Sequence, residues 1–586
     1  MRRSSLAAAI LVMLVYLIGL AAMPQNVFWS PDEGGKLLHA RMLSRDRGMR
    51  YVVQYPGARI DPELRFYAYR PAEAGRTFIY PLPAADGSVQ LYWPPWFPLL
   101  LALALAAGGV WAAHLIPLLA GWLTAVLSGV LAARIDSHLE APAIVVVGLA
   151  TPVYFYSLGI WEHTIAAALG VMAVLVYVAG RGGVRALVES LPFLLVALLL
   201  RIEMVAMVFA MLVATAICAQ RQRSAPDAAP ADSPAVARWR GMVAIAAIAF
   251  AVMLFMVSAP QRHFDRAEML PRRLARMVTM PGAFLGILIN TERGFGPEMS
   301  AEMMTVSAAA LAACLVAPFV RSRRWRDGLT LAACAGLLFA SFGLVATAQP
   351  YRCIHGLLLI IPFVVMAPQA LPRAWAQPRS PSFVLGVVAT LYLLFGSAAI
   401  FVNSVSSAGV FAQGYQWGQR YLLPLYPILA VLSLAGFLSC VRRMHKGVVR
   451  AAVVILGVLL LATGFLLQRR GVHESSETRR MLASWHDTMQ GRGPIVTDIW
   501  WLPASLAELY SREEIFVIGE RAELPEWIEL ARAHRVGSFT FASLGPLAGD
   551  DPQLTGLRRE RGDESFPGGL HLTRFDLEPR HAAPNE

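Results

Sequence analysis

The chain has 586 residues, of which 56% are hydrophobic and 15% charged, with a mean hydropathy of +0.53 and a formal net charge of +12. A soluble globular chain carries roughly a quarter charged residues, so this composition excludes one and points to a protein embedded mostly in lipid. The charge does not indicate nucleic acid, because the arginines fall in short clusters between apolar runs and not along one amphipathic face. The five cysteines (Cys218, Cys314, Cys334, Cys353, Cys440) lie in or beside apolar segments without CxxC spacing, so neither a zinc ribbon nor a disulfide framework is indicated.

Residues 1–22 join a basic start to an apolar stretch. The stretch is long for a signal peptide and AAMPQ is a poor cleavage site, so an uncleaved first span is expected. A polar segment, 23–95, follows; a loop of that length is usually functional. Further apolar runs lie near 111–131, 141–158, 164–179, 188–200, 204–219 and 241–259, then 303–320, 329–346, 355–370, 383–402, 421–440 and 449–467. With the first span they make about thirteen transmembrane helices. Alternate loops carry the basic residues: Arg2 and Arg3, Arg134, Arg181 with Arg185, the 221–240 stretch, 321–326, Arg373 with Arg379, and 442–450. Placing these loops in the cytoplasm leaves 23–95 and everything after Gln468 outside. The loop 261–300 breaks the charge rule, with Arg262, Arg266, Arg272, Arg273 and Arg276 on the outer side. It reads either as an amphipathic interfacial helix or as a basic wall for a phosphate-bearing substrate.

Beyond the last span, PIVTD, LPASLAELY, IFVIG, LPEWIELARAH, GSFTFAS and HLTRFDL alternate strand-like and helix-like patterns. They predict a small α/β domain of about three or four strands. It contains no GxGxxG or P-loop, so no nucleotide site is assigned. The division expected is a membrane domain over 1–468, with 23–95 as its first outer loop, and a soluble extracytoplasmic domain over 469–586.

Polar residues near membrane boundaries are the candidates for chemistry. Asp32 and Glu33 follow the first span in FWSPDEGG, where a partly dehydrated carboxylate is suited to acid–base work, although acidic pairs are also common on solvated loops. Glu162 and His163 interrupt an apolar run in GIWEHTIAA; they suit a substrate hydroxyl or a divalent cation, or equally a headgroup-level turn. Arg201 lies beside Glu203 in LLLRIEM, either paired with it or free for substrate. Arg352 and His355 in AQPYRCIHG, and Arg420 in GYQWGQRYLLPLYP, stand at outer boundaries. Arginine suits phosphate because its planar fork makes bidentate charged hydrogen bonds, with snorkelling to the interface as the alternative for each.

SPDEGGKLLHARMLSRDRG, followed at loop length by LYWPPWFPLLLALAL, resembles the opening of the GT-C membrane glycosyltransferases, among them the protein O-mannosyltransferases and the lipid A aminoarabinose transferase. The late GYQWGQRYLLPLYPILAVL resembles an Arg-bearing segment of bacterial members. WEHT departs from the acidic second-loop motif of several members by offering a Glu-His pair, which leaves metal dependence open. The resemblance implies an integral protein of the plasma (inner) membrane and a donor sugar carried on a polyprenyl phosphate. It also implies a glycan, lipid or protein acceptor at the outer surface of the membrane, and inversion at the anomeric carbon. On it Asp32 is the expected general base and Glu33 its orienting neighbour. Arg420, Arg201 and Arg352 are the expected ligands of the donor phosphate, and Glu162 with His163 form a second polar site. Two other readings remain: an O-antigen ligase or polymerase, expected to carry its main outer loop late in the chain, and a transporter or flippase of lipid-linked substrate, in which internal repeats surround a midplane site.

The charge bias and the odd number of spans predict that 25–95 and 468–586 share one non-cytoplasmic side. Single cysteines placed in both regions should react with an impermeant maleimide in intact cells, and protection of both would reverse the assignment.

Overall fold

The computed structural model describes residues 2–44, 50–51, 54–68, 80, 82–83, 89–90, 93–223, 287–289, 300–347, 354, 356–403, 417–444, 447–547, 557–559 and 564–577. Its principal α-helices, in chain order, are α1 (Arg3–Ala21), α2 (Pro31–Arg41), α3 (Trp96–Ala133), α4 (Glu140–Leu149), α5 (Pro152–Ser157), α6 (His163–Ala179), α7 (Val184–Leu200) and α8 (Val205–Arg223). They continue with α9 (Ala301–Val316), α10 (Arg323–Ala346), α11 (Leu357–Ile360), α12 (Leu371–Ala376), α13 (Pro381–Asn403), α14 (Leu425–Arg443), α15 (Gly447–Met489), α16 (Leu502–Ser505), α17 (Ala507–Tyr510) and α18 (Leu524–Ala533). The chain forms two compact units, one of Met1–Leu20 with Leu115–Glu474, the other of Ala21–His114 with Ser475–Glu586.

Among the described residues eight helical stretches are long and apolar enough to cross a membrane. Two of them present bulky apolar side chains outward, Leu6, Ile10, Leu14 and Ile18 on α1 and Ile455 and Val458 on α15, and so does the shorter α7 with Val188, Leu195 and Leu199. Water penalises such a surface and lipid does not. The chain is a polytopic helical membrane protein with a small C-terminal sheet.

Two of the expected spans are not continuous α-helices. The run 141–158 divides into α4 and α5, because Thr151 is extended and caps α5 through its hydroxyl, with Pro152 opening the new helix. The run 355–370 yields the short α11 and then a 3₁₀ stretch, Pro362–Ala370, entered through Ile361 at φ −132°, ψ 73°. Pro362 lacks the amide hydrogen that would continue α11. The expected span at 241–259 and the arginines between 261 and 300 lie outside the described residues.

In the first unit helices approach closely at small residues, as lipid-embedded packing favours. A Cβ on Gly436 of α14 would stand 2.0 Å from the Met366 carbonyl oxygen. Polar side chains tie helix to backbone across the packing: Tyr16 donates to the Gly148 carbonyl at 2.9 Å and Trp122 Nε1 to that of Ala9 at 2.9 Å. At one end of this unit Arg2 donates to Ser137 at 2.7 Å and Arg442 to Asp136 at 2.9 Å. The charge pattern assigned the loops bearing Arg2, Arg134 and Arg442 to one side, and the fold gathers those segments together.

The second unit is built on a six-stranded sheet. Its strands are β1 (Ile495–Thr497), β2 (Ile515–Val517), β3 (Ser538–Leu544), β4 (Arg558–Arg559), β5 (Glu564–Ser565) and β6 (Leu570–Asp576). The order is β2-β1-β3-β6-β4, with β5 also on β6. The central β1 is parallel to both neighbours, and β6 lies antiparallel to β3 from Leu570 opposite Leu544 to Asp576 opposite Ser538. Every longer strand falls where the alternation placed it; the extra two are two-residue edges on β6. The polar loop after α1 folds onto this sheet. Phe66 offers its carbonyl to the Val517 amide at 2.8 Å, so the loop covers the β2 edge. Tyr55, Tyr67 and Tyr80 pack around Tyr510, with Tyr67 and Tyr510 ring centroids 6.2 Å apart. Burial pushes all four phenols up, so the cluster is neutral throughout the physiological range. Arg59–Glu514 and Arg65–Glu526 pairs rim it.

Candidate functional site

The acidic pair lies in the second unit. Ser30 is extended and its Oγ accepts the Asp32 amide at 3.3 Å, while Pro31 fills the first helical position of α2. These are the standard devices for starting a helix. Asp32 and Glu33 therefore occupy its first turn, where unpaired amides favour negative charge. Glu33 and Arg479 of α15 are each 1% exposed, and Arg479 Nη2 donates to Glu33 Oε2 at 3.1 Å. Asp32 is half-buried. Adjacent helical residues project about 100° apart, so Asp32 and Glu33 leave the same turn in different directions.

Two features hold α2 in place. A Cβ on Gly34 would stand 1.6 Å from the Ala504 carbonyl oxygen, so glycine is what lets α2 lie against α16. The Phe28 amide donates to the Ser505 carbonyl at 3.0 Å and Arg41 Nε to Glu508 at 3.0 Å, fastening both ends of the segment. Lys36, one turn beyond Asp32, lies over the Trp93 ring at 5.4 Å, with His39 5.0 Å from the same ring.

The first unit gathers the other candidates. Arg201 Nη1 donates to Glu162 at 2.5 Å, and its Nε and Nη2 grip Glu203 in a fork, with Nε at 3.0 Å. All three nitrogens of Arg201 thus meet carboxylates. His163 Nδ1 is 3.8 Å from Glu162, and the ring packs among Tyr156, Trp161 and Tyr421. The Arg420 guanidinium lies over Trp161 at 5.3 Å and over Tyr421 at 5.1 Å, and donates to the Tyr421 hydroxyl at 3.1 Å. Arg201 faces that same Tyr421 ring at 5.2 Å, so the two arginines share one aromatic partner.

The approach to Arg420 is set by Gly418, whose φ of +72° favours glycine and whose Cβ would stand 2.7 Å from the Tyr426 hydroxyl. The Gln419 amide donates to that hydroxyl at 2.6 Å and the Trp417 amide to Tyr156 at 3.0 Å.

The fold thus brings Glu162, His163, Arg201 and Arg420 into one cluster and sets Asp32 and Glu33 on one helical turn. Arg352 and His355 lie outside the described residues. Among the described residues no three His, Cys, Asp or Glu side chains gather as a metal ion would require. Sequence reasoning missed Arg479. Its signal was an arginine on the apolar face of a helix, in line with the buried Leu482, Trp485 and Met489.

No protein-family model matches the sequence, and no curated protein matches it. Among solved structures, ArnT from Cupriavidus metallidurans in the apo state matches 98% of this chain and 99% of its own, at 12% identity and a TM-score of 0.32. The chain is similar to ArnT along its whole length. A second structure, ArnT from the same organism bound to undecaprenyl phosphate, matches 99% of this chain and 98% of its own, again at 12% identity and a TM-score of 0.32.

The fit of α2 against α16 predicts the effect of a single methyl group. Gly34→Ala should destabilise the purified protein by about 1–3 kcal/mol through overpacking. Gly328→Ala, where a Cβ meets nothing within 4 Å, should leave stability unchanged or raised. Thermal unfolding in detergent separates the two, and equal melting temperatures would mean that α2 does not press on Ala504.

Proposed function

We propose that this chain is a membrane glycosyltransferase that moves a sugar from a polyprenyl-phosphate donor to a glycan, lipid or protein acceptor of the cell envelope, inverting the anomeric centre. The observation that carries the reading is the contrast within the acidic pair. Glu33 is bonded to Arg479 in the interior, whereas its neighbour Asp32 sits half-buried on the same turn. On this reading Glu33 orients the turn and Asp32 is the carboxylate assigned to take the proton.

In this reaction the acceptor hydroxyl oxygen attacks the anomeric carbon, and Asp32 accepts its proton. The bond from that carbon to the lipid phosphate oxygen breaks, and the electron pair leaves with the phosphate. A phosphate leaving group needs positive charge more than a proton, in contrast to a glycoside hydrolase, where a carboxylic acid protonates the departing oxygen. Arg420 is the residue assigned to that charge, since a guanidinium presents parallel donors to phosphate oxygens. Arg201, a further candidate for this role, bonds Glu162 and Glu203 beside it. On this reading both 23–95 and 469–586 lie outside the cytoplasm, where acceptors of the envelope are met.

Asp32→Asn preserves size and much of the hydrogen bonding but cannot accept a proton. Transfer from a polyprenyl-phosphate sugar should fall on the order of a hundred- to ten-thousand-fold at matched protein level and unchanged melting temperature. Wild-type transfer by this variant would remove the chemical support for the reading.

A further inference from the structure

We infer that Arg479 is a positioning residue for the proposed transfer: through its ion pair with Glu33 it fixes the helical turn that carries Asp32, and the segment 475–510 is the holder of that turn. This rests on the reading of Asp32 as the base. α2 meets the segment at its start, where Phe28 donates to Ser505; along its length, where Gly34 lies against Ala504; and at its end, where Arg41 pairs with Glu508. Those attachments fix the axis of α2. The Glu33–Arg479 bond acts within the turn of Asp32 itself, and there it bears on rotation about the axis. Rotation matters most for a side chain whose use is to aim at a substrate.

The pair is also one that cannot lose a single member cheaply. Arg479 Nε and Nη1 are buried with no acceptor among the described residues, so Glu33 is the carboxylate that compensates this guanidinium. Removing one partner takes from the other the opposite charge it is bonded to in the interior, whereas neutralising both leaves two amides of similar shape. Stability and positioning therefore separate. The double variant Glu33→Gln with Arg479→Gln recovers the fold but lacks the charged, directional bond that aims the turn.

The experiment uses the full chain in lipid nanodiscs and compares wild type, Arg479→Lys, Arg479→Gln and the double variant, each assayed for melting temperature, for kcat and KM with a polyprenyl-phosphate sugar, and for amide hydrogen exchange. Arg479→Gln should lose stability and about 10- to 100-fold in kcat, the cost of a misaimed group on the order of 1 Å, with donor KM within about twofold. Arg479→Lys should recover part of kcat. The double variant should regain the melting temperature while kcat stays low. Amides of 33–38 should exchange at least about tenfold faster in Arg479→Gln, with those of α18 unchanged. Recovery of kcat together with stability in the double variant would overturn the proposal and leave the pair a purely structural one. If the wild type transfers no sugar from such a donor, the glycosyl-transfer reading falls; exchange at 33–38 that is unchanged in Arg479→Gln then overturns the positioning role as well, and faster exchange sustains it.

Discussion

A charge removed from water must be met by an opposite charge held at hydrogen-bond distance, because its desolvation costs several kcal/mol. In this chain that requirement organises both sets of polar residues. Glu33 is buried because Arg479 is buried beside it, and Arg201 gathers Glu162 and Glu203 for the same reason. Neither arrangement is a general stabiliser, since a buried ion pair gains little over a well-packed apolar pair of the same shape. What each provides is direction. The first sets how the opening turn of α2 faces, and the second fixes a carboxylate next to His163 and the aromatic seat of Arg420.

The second unit gives the C-terminal sheet a role that a sequence pattern does not express. Parallel α/β sheets often place ligands beyond the carboxyl ends of their central strands. Here the chain leaving β1 runs into α16, and α16 is covered by α2 of the same chain. The sheet holds a segment of its own polypeptide, and the loop that carries Asp32 is finished by residues more than 400 positions later, as the bond between Glu33 and Arg479 shows.

Much of this was legible from residue order, and the exceptions have physical causes. The apolar runs and the strand-like alternations reported helices and strands directly, because burial follows periodicity. The breaks at Thr151–Pro152 and at Ile361–Pro362 fell inside apolar runs, where hydropathy is blind to backbone conformation although the prolines were visible. SPDE was read as a loop, yet a serine followed by proline and two acids is a helix start, and the structure places it in α2. The pairing of Arg201 with Glu203 was one of two readings left open by their spacing. Its further bond to Glu162, 39 residues earlier, depends on tertiary packing that no local pattern encodes. Arg479 did carry a local signal, its place in line with Leu482, Trp485 and Met489, but its partner Glu33 lies at the far end of the chain and no local pattern encodes that.

The central claim is that a bond from sugar to lipid phosphate is broken and remade on an acceptor. The most direct test is to incubate the purified chain in sealed proteoliposomes with a polyprenyl-phosphate sugar of known anomeric configuration and an envelope extract as acceptor, and to determine by mass spectrometry and NMR what becomes of the lipid and the sugar. The account predicts free polyprenyl phosphate in proportion to glycosylated acceptor, with the anomeric configuration inverted. Intact lipid-linked sugar moved from one leaflet to the other, or product with retained configuration, would contradict it.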